Sequence, residues 1–111
     1  MVREIINLLV GHCGNQIGFK FWEMITRSHK LFPDGSFFGT SENYLEKIDV
    51  YFNENEQGKF IPRSILVDLD KELINEVSSS SILSLIDKKN IICGDSNIRN
   101  NWAAGFYHLF S

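Results

Sequence analysis

Three short segments hold the residue types from which a binding site could be built: Gly11-His12-Cys13-Gly14-Asn15-Gln16, Asp68-Leu69-Asp70-Lys71, and Gly94-Asp95-Ser96-Asn97-Ile98-Arg99-Asn100-Asn101. Glycine lets backbone come close to a ligand, and the amides and dipole at a helix start favour an anion such as phosphate. A carboxylate of Asp68 or Asp70 suits Mg²⁺, which keeps much of its hydration and borrows phosphate oxygens. Each feature also has a plain alternative. The two aspartates can be a solvated pair, Cys13 a small buried hydrophobe, Gln16 a helix-surface amide, and Asn100 and Asn101 helix caps. His12, His29 and His108 have no acidic or cysteine partner nearby in sequence, so surface or packing roles are expected of them and no acid–base catalyst is assigned.

These segments act together only if the fold brings them to one edge. Each closes an apolar run, at residues 5–10, 64–68 and 90–94, rich in branched side chains as in strands covered on both faces of a parallel sheet. Helical patterns stand between them. After the first run Ile17, Phe21, Met24, Ile25 and Ser28 fall on one face, after the second Leu73, Ile74 and Val77, and after the third Trp102, Phe106 and Phe110 behind Asn101 as a cap. The serines at 78–81 weaken the far end of the second helix, because hydroxyls compete for backbone hydrogen bonds. Strand, polar loop and helix in this order predict an α/β fold. In it the loops leaving the strand carboxyl ends share one edge, where ligands of such sheets collect.

Residues 31–62 interrupt the alternation. Pro33-Asp34-Gly35-Ser36, Gly39-Thr40-Ser41 and residues 53–58 are turn signals around a stretch whose Ile48, Val50 and Phe52 alternate. That stretch fits either an edge strand or a short helix packing back.

The chain has 111 residues, 43% hydrophobic and 23% charged, enough for one globular unit that buries about two-thirds of its unfolded surface and shares any large site with something else. A net charge of -3 gives no basic footprint for nucleic acid or anionic membrane. Cys13 and Cys93 make neither a disulfide framework nor a zinc pattern, so free thiols in a reducing setting are expected. The opening residues lack a basic leader, and no apolar run approaches the roughly 18 residues of a membrane span, so a soluble, unexported protein is expected. Phe19, Phe21, Trp22, Phe37, Phe38, Trp102, Phe106 and Tyr107 are expected to pack in core and interfaces rather than to stack bases. The first loop is neither the dinucleotide pattern G-x-G-x-x-G nor a P-loop ending in Gly-Lys-Ser/Thr.

Gly11-His12-Cys13-Gly14-Asn15-Gln16-Ile17-Gly18 with Lys20-Phe21-Trp22-Glu23 resembles the tubulin opening G-Q-C-G-N-Q-I-G followed by K-F-W-E. The resemblance runs on through Ile48-Asp49-Val50-Tyr51-Phe52-Asn53-Glu54, Gly58-Lys59-Phe60-Ile61-Pro62-Arg63, Ile65-Leu66-Val67-Asp68-Leu69 and Asn100-Asn101-Trp102-Ala103. It is closer to the beta type, because the alpha type carries extra residues before its K-x-V-P-R segment. The resemblance implies a Rossmann-like, three-layer α/β fold, the N-terminal part of a GTP-binding domain in a microtubule subunit. Implied with it are GTP and Mg²⁺ as cofactors. His12, Cys13, Gln16, Asp70 and Asn100 become nucleotide-binding positions, with Asp70 at the metal. Alpha-tubulin is the implied partner, in a heterodimer and in the microtubule, with no nucleic acid or membrane partner and a location in cytoplasm and cytoskeleton.

The departures from the family pattern fall in the loops. His12 stands where the family has a phosphate-proximal glutamine, Asp70 where it has a glutamate, and Lys71 where it usually has proline. G-Q-S-G-A-G-N-N-W becomes Gly94-Asp95-Ser96-Asn97-Ile98-Arg99-Asn100-Asn101-Trp102, which replaces both inner glycines and adds the positive charge of Arg99. The family's glycine-rich phosphate loop, base-binding asparagines and central helix fall outside these 111 residues. In the family, hydrolysis on a beta-type subunit is completed by an acidic residue of the neighbouring alpha subunit. An incomplete GTP site without a catalytic residue of its own is therefore expected. The alternative is a stand-alone interaction module that keeps this fold and binds protein through its sheet edge and aromatic surface. A flavodoxin-like or dinucleotide enzyme is disfavoured by the missing glycine fingerprint.

Overall fold

In a computed structural model, residues 3–40, 42–78, 84–94 and 101–109 are described. The elements run β1 (Asn7–Val10), α1 (Gly11–Ser28), α2 (Glu42–Tyr51), β2 (Phe52–Glu54), β3 (Phe60–Pro62), β4 (Ser64–Asp68), α3 (Lys71–Ser78), a 3-10 turn (Lys88–Asn90), β5 (Ile91–Cys93) and α4 (Trp102–Leu109). The three apolar runs each yield a strand, and β4 lies between β1 and β5 with both pairings parallel. The fold is α/β, a parallel sheet flanked by helices.

β4 has the expected bounds, while the outer strands are shorter than their runs. Ile5 and Ile6 precede β1, and the Ile5 amide donates to the Val50 carbonyl (2.8 Å), tying the N-terminal segment to the end of α2. Asn90 closes the 3-10 turn ahead of β5.

Register sets the faces. Leu9, Leu66 and Ile91 form one row across the strands, and Val10, Val67 and Ile92 form the next, pointing to the opposite side. The Leu9 row packs against a core of Trp22, Leu31, Ile48, Phe52, Phe60, Leu66 and Ile86. Trp22 is completely buried and meets Phe21, Phe52 and Tyr51 edge-to-face, with centroids 5.2, 5.4 and 6.2 Å apart. Such ring pairs add about 0.5–1.5 kcal/mol each beyond the area they bury. On the other side Leu8, Val10 and Ile92 are 62%, 59% and 55% exposed.

Two sequence expectations need correction or resolution. The stripe Ile17, Phe21, Met24, Ile25 and Ser28 is not the buried face of α1. Ile17, Met24 and Ser28 are exposed, and the helix buries Asn15, Gly18, Trp22 and Thr26 instead. The reason is close packing: a β-carbon at Gly18 would collide with the Leu9 side chain, so glycine lets α1 lie directly on Leu9, and in that orientation Trp22 is buried. In the 31–62 excursion, Ile48 and Val50 lie on α2 while Phe52 opens β2. Ile48 and Phe52 are both buried, and the chain then turns through the antiparallel pair β2–β3. Of the aromatics expected in core or interfaces, Trp22 is buried, Phe19, Phe21 and Phe37 pack against the core, and Phe38, Trp102, Phe106 and Tyr107 are exposed.

Two other expectations hold. Asn101 caps α4, its Oδ1 accepting from the Ala104 amide (3.1 Å). Cys13 and Cys93 are free thiols. Among the described residues no helix is long and apolar enough to cross a membrane. Ser78 ends α3, and residues 79–81 of the serine run and Phe110 lie outside the described residues.

Candidate functional site

Parallel pairing brings the three strand ends to one edge, with Val10 beside Val67 and Asp68 beside Cys93. The first and third loops are tied to the middle strand. The Gly94 amide donates to the Asp68 carbonyl (2.9 Å), so the third loop departs against the second. The Asn15 Nδ2 donates to the Gly11 carbonyl (2.7 Å) and to the Val67 carbonyl (3.2 Å), so the first turn of α1 is held to β4.

The second loop is shaped by its own carboxylates. Asp68 Oδ1 accepts from the Leu69 amide (2.7 Å) and the Asp70 amide (3.1 Å), which folds the chain back at the strand end. Asp70 Oδ1 then accepts from the Glu72 amide (2.9 Å), capping α3. Asp70 is half-buried.

The first loop is a sharp strand-to-helix turn. Val10 is extended (φ -121°, ψ 128°), and Gly11 follows at φ +75°, in the left-handed region that favours glycine. No side chain caps α1 and no acidic residue occupies its first turn. An 18-residue helix therefore presents first-turn amides without intrahelical acceptors, and its dipole favours negative charge there. A β-carbon built on Gly11 would meet nothing within 4 Å, so the space before the turn is open. His12 and Cys13 are exposed in that first turn, and Gln16 is exposed one turn further along.

His12, Cys13 and Gln16 thus share the start of α1, and Asp70 stands at the start of α3, beyond the neighbouring strand. Asn100 and the substitutions at 97–99 lie outside the described residues, whereas Asn101 is described and exposed. Among the described residues no group of three or more His, Cys, Asp or Glu could cage a metal ion. A metal at this edge would draw on one carboxylate plus water and the oxygens of an anion, a donor set that fits Mg²⁺ and not zinc.

Sequence reasoning named Asn15 only as part of the motif and missed its contact with β4. The available signal was a carboxamide four residues after a glycine turn, on the helix face that also carries Gly18 and Trp22.

Fold and edge together define an open parallel α/β sheet with its loops gathered at the strand carboxyl ends. Residues 4–109 match the Tubulin/FtsZ family, GTPase domain, and the chain belongs to that family. The tubulin beta chain of the Guillardia theta nucleomorph is 45% identical over 106 residues, covering 96% of this chain and 24% of that protein. The tubulin beta-4B chain of Mesocricetus auratus is 44% identical, with 96% of this chain and 37% of the relative covered. The Bombyx mori tubulin beta chain is likewise 44% identical, with 96% and 24% covered. The chain thus spans about a quarter to just over a third of the length of these curated relatives.

Proposed function

We propose that this chain is the opening part of a GTP-binding domain of the beta-tubulin kind, in a protein that pairs with alpha-tubulin and assembles into microtubules in the cytoplasm. The observation that supports it best is the gathering of the loops at one edge, where the uncapped start of α1 faces open space. In this reading the first-turn amides of α1 and the His12 imidazole face phosphate oxygens, which both can reach as hydrogen-bond donors. Cys13 and Gln16 lie toward the guanosine end, and Asn100 contributes from the third loop. Asp70 holds Mg²⁺ directly or through water, and bound Mg²⁺ supplies neutralising charge to the phosphates. No residue of this chain is assigned a catalytic role.

Fluorescent-GTP titration tests the reading in two settings. The 111-residue chain alone is expected to bind weakly or not at all, and tight Mg²⁺-dependent binding would overturn the view that its site is incomplete. Grafted in place of the matching segment of a full-length beta-tubulin, it is expected to retain GTP through gel filtration. A graft that folds but loses the nucleotide would overturn the GTP reading.

The exposed apolar row of the sheet favours a second reading, a stand-alone module that binds another protein. A purified chain that stays monomeric and shows no nucleotide contribution in the graft would support it.

A further inference from the structure

Asn15 is an expensive residue to bury. It is 2% exposed on the sheet-facing side of α1, and its Oδ1 has no hydrogen-bond partner. Asp68 Oδ2, on the residue after the carbonyl that Asn15 holds, is also buried without a partner. A buried acceptor left unpaired is destabilising, whereas an apolar residue of similar size would incur no such cost between helix and sheet. What the carboxamide provides instead is its pair of donors. One reaches the Gly11 carbonyl, at the left-handed turn that opens the first loop, and the other reaches the Val67 carbonyl, 52 residues away. Val67 leads directly into Asp68, whose other oxygen folds the second loop through the Leu69 and Asp70 amides.

We propose that Asn15 is a positioning residue that couples the first and second loops, so that the start of α1 and the Asp70 carboxylate move as one rim. The coupling rests on geometry alone, and its consequence for nucleotide affinity rests on the GTP-binding reading given above. Asn15 would touch neither nucleotide nor metal. Thr26 is the natural control, since it lies on the same buried face three turns further along, and its hydroxyl also lacks a partner.

Hydrogen exchange of the protein, resolved by residue, decides the coupling. In Asn15→Ala the amides of Gly14 and Gln16, which have intrahelical acceptors at the start of α1, and those of Leu69 and Asp70 are expected to exchange faster together, by about tenfold for loss of roughly 1.4 kcal/mol of local protection. Thr26→Val is expected to change neither loop. Asn15→Ser separates local from cross-strand action, because a serine hydroxyl reaches the carbonyl four residues back but not a neighbouring strand. Its first loop should stay protected while Leu69 and Asp70 exchange faster. Acceleration confined to the first loop in both Asn15 variants, or equal acceleration in Thr26→Val, would overturn the proposal. GTP titration of the same variants in the graft gives the second arm. Weaker binding in Asn15→Ala and Asn15→Ser than in Thr26→Val is expected, and unchanged affinity would remove the positioning role. If the unsubstituted graft binds no GTP while exchange shows the coupling, the nucleotide reading fails and the coupling stands.

Discussion

On one side of the sheet Leu9, Leu66 and Ile91 lie against α1 and the aromatic cluster around Trp22; on the other, Leu8, Val10 and Ile92 point outward. The residue types on the two sides are nearly the same, so their difference comes from what packs against them. The covered side has a helix brought close by Gly18 and a tryptophan completely buried against Phe21, Tyr51 and Phe52. Burial of such a side chain contributes roughly 1.5–3 kcal/mol, and an exposed one of the same type contributes little. Stability of the described residues therefore rests on one side of the sheet, and from that side Asn15 ties the start of α1 to the end of β4.

Substitutions on the two sides should differ in cost accordingly. The largest effect is expected from Trp22→Ala, a loss of about 3–5 kcal/mol in urea unfolding. Leu66→Ala, in the middle strand, should cost about 2–5 kcal/mol by the same measurement. Gly18→Ala should cost about 1–3 kcal/mol through its clash with Leu9, and adding Leu9→Ala should recover part of that loss, giving a positive coupling in a double-mutant cycle. Leu8→Thr, on the exposed side, should stay within about 0.5 kcal/mol of the parent and reduce self-association in sedimentation. A loss at Leu8 matching that at Leu66 would erase the distinction between the sides.

Much of this arrangement is legible in the sequence. The strand-loop-helix order forces the three loops to one edge, and β4 has the bounds its apolar run suggests. The family is legible because the residues from Gly11 to Glu23 carry a long motif. The buried face of α1 is not legible, since hydropathy spacing favours Ile17 and Met24 over a stripe whose closest contact is made by a glycine. Helix and strand compete over Ile48, Val50 and Phe52 because residues two apart and four apart fit both periods in so short a run. Asn15 escapes for a different reason: its deciding contact is with a carbonyl 52 residues distant, which no local pattern encodes.

If the edge at the start of α1 faces a guanine nucleotide, as proposed, Cys13 reports on it, because its thiol is exposed in that first turn. With the chain grafted into a full-length beta-tubulin, the alkylation rate of Cys13, read by mass spectrometry of its peptide, can be followed with and without GTP and Mg²⁺. Slower alkylation in the presence of GTP, and no slowing at Cys93, is the predicted result. Alkylation of Cys13 at the same rate while GTP remains bound would contradict the account.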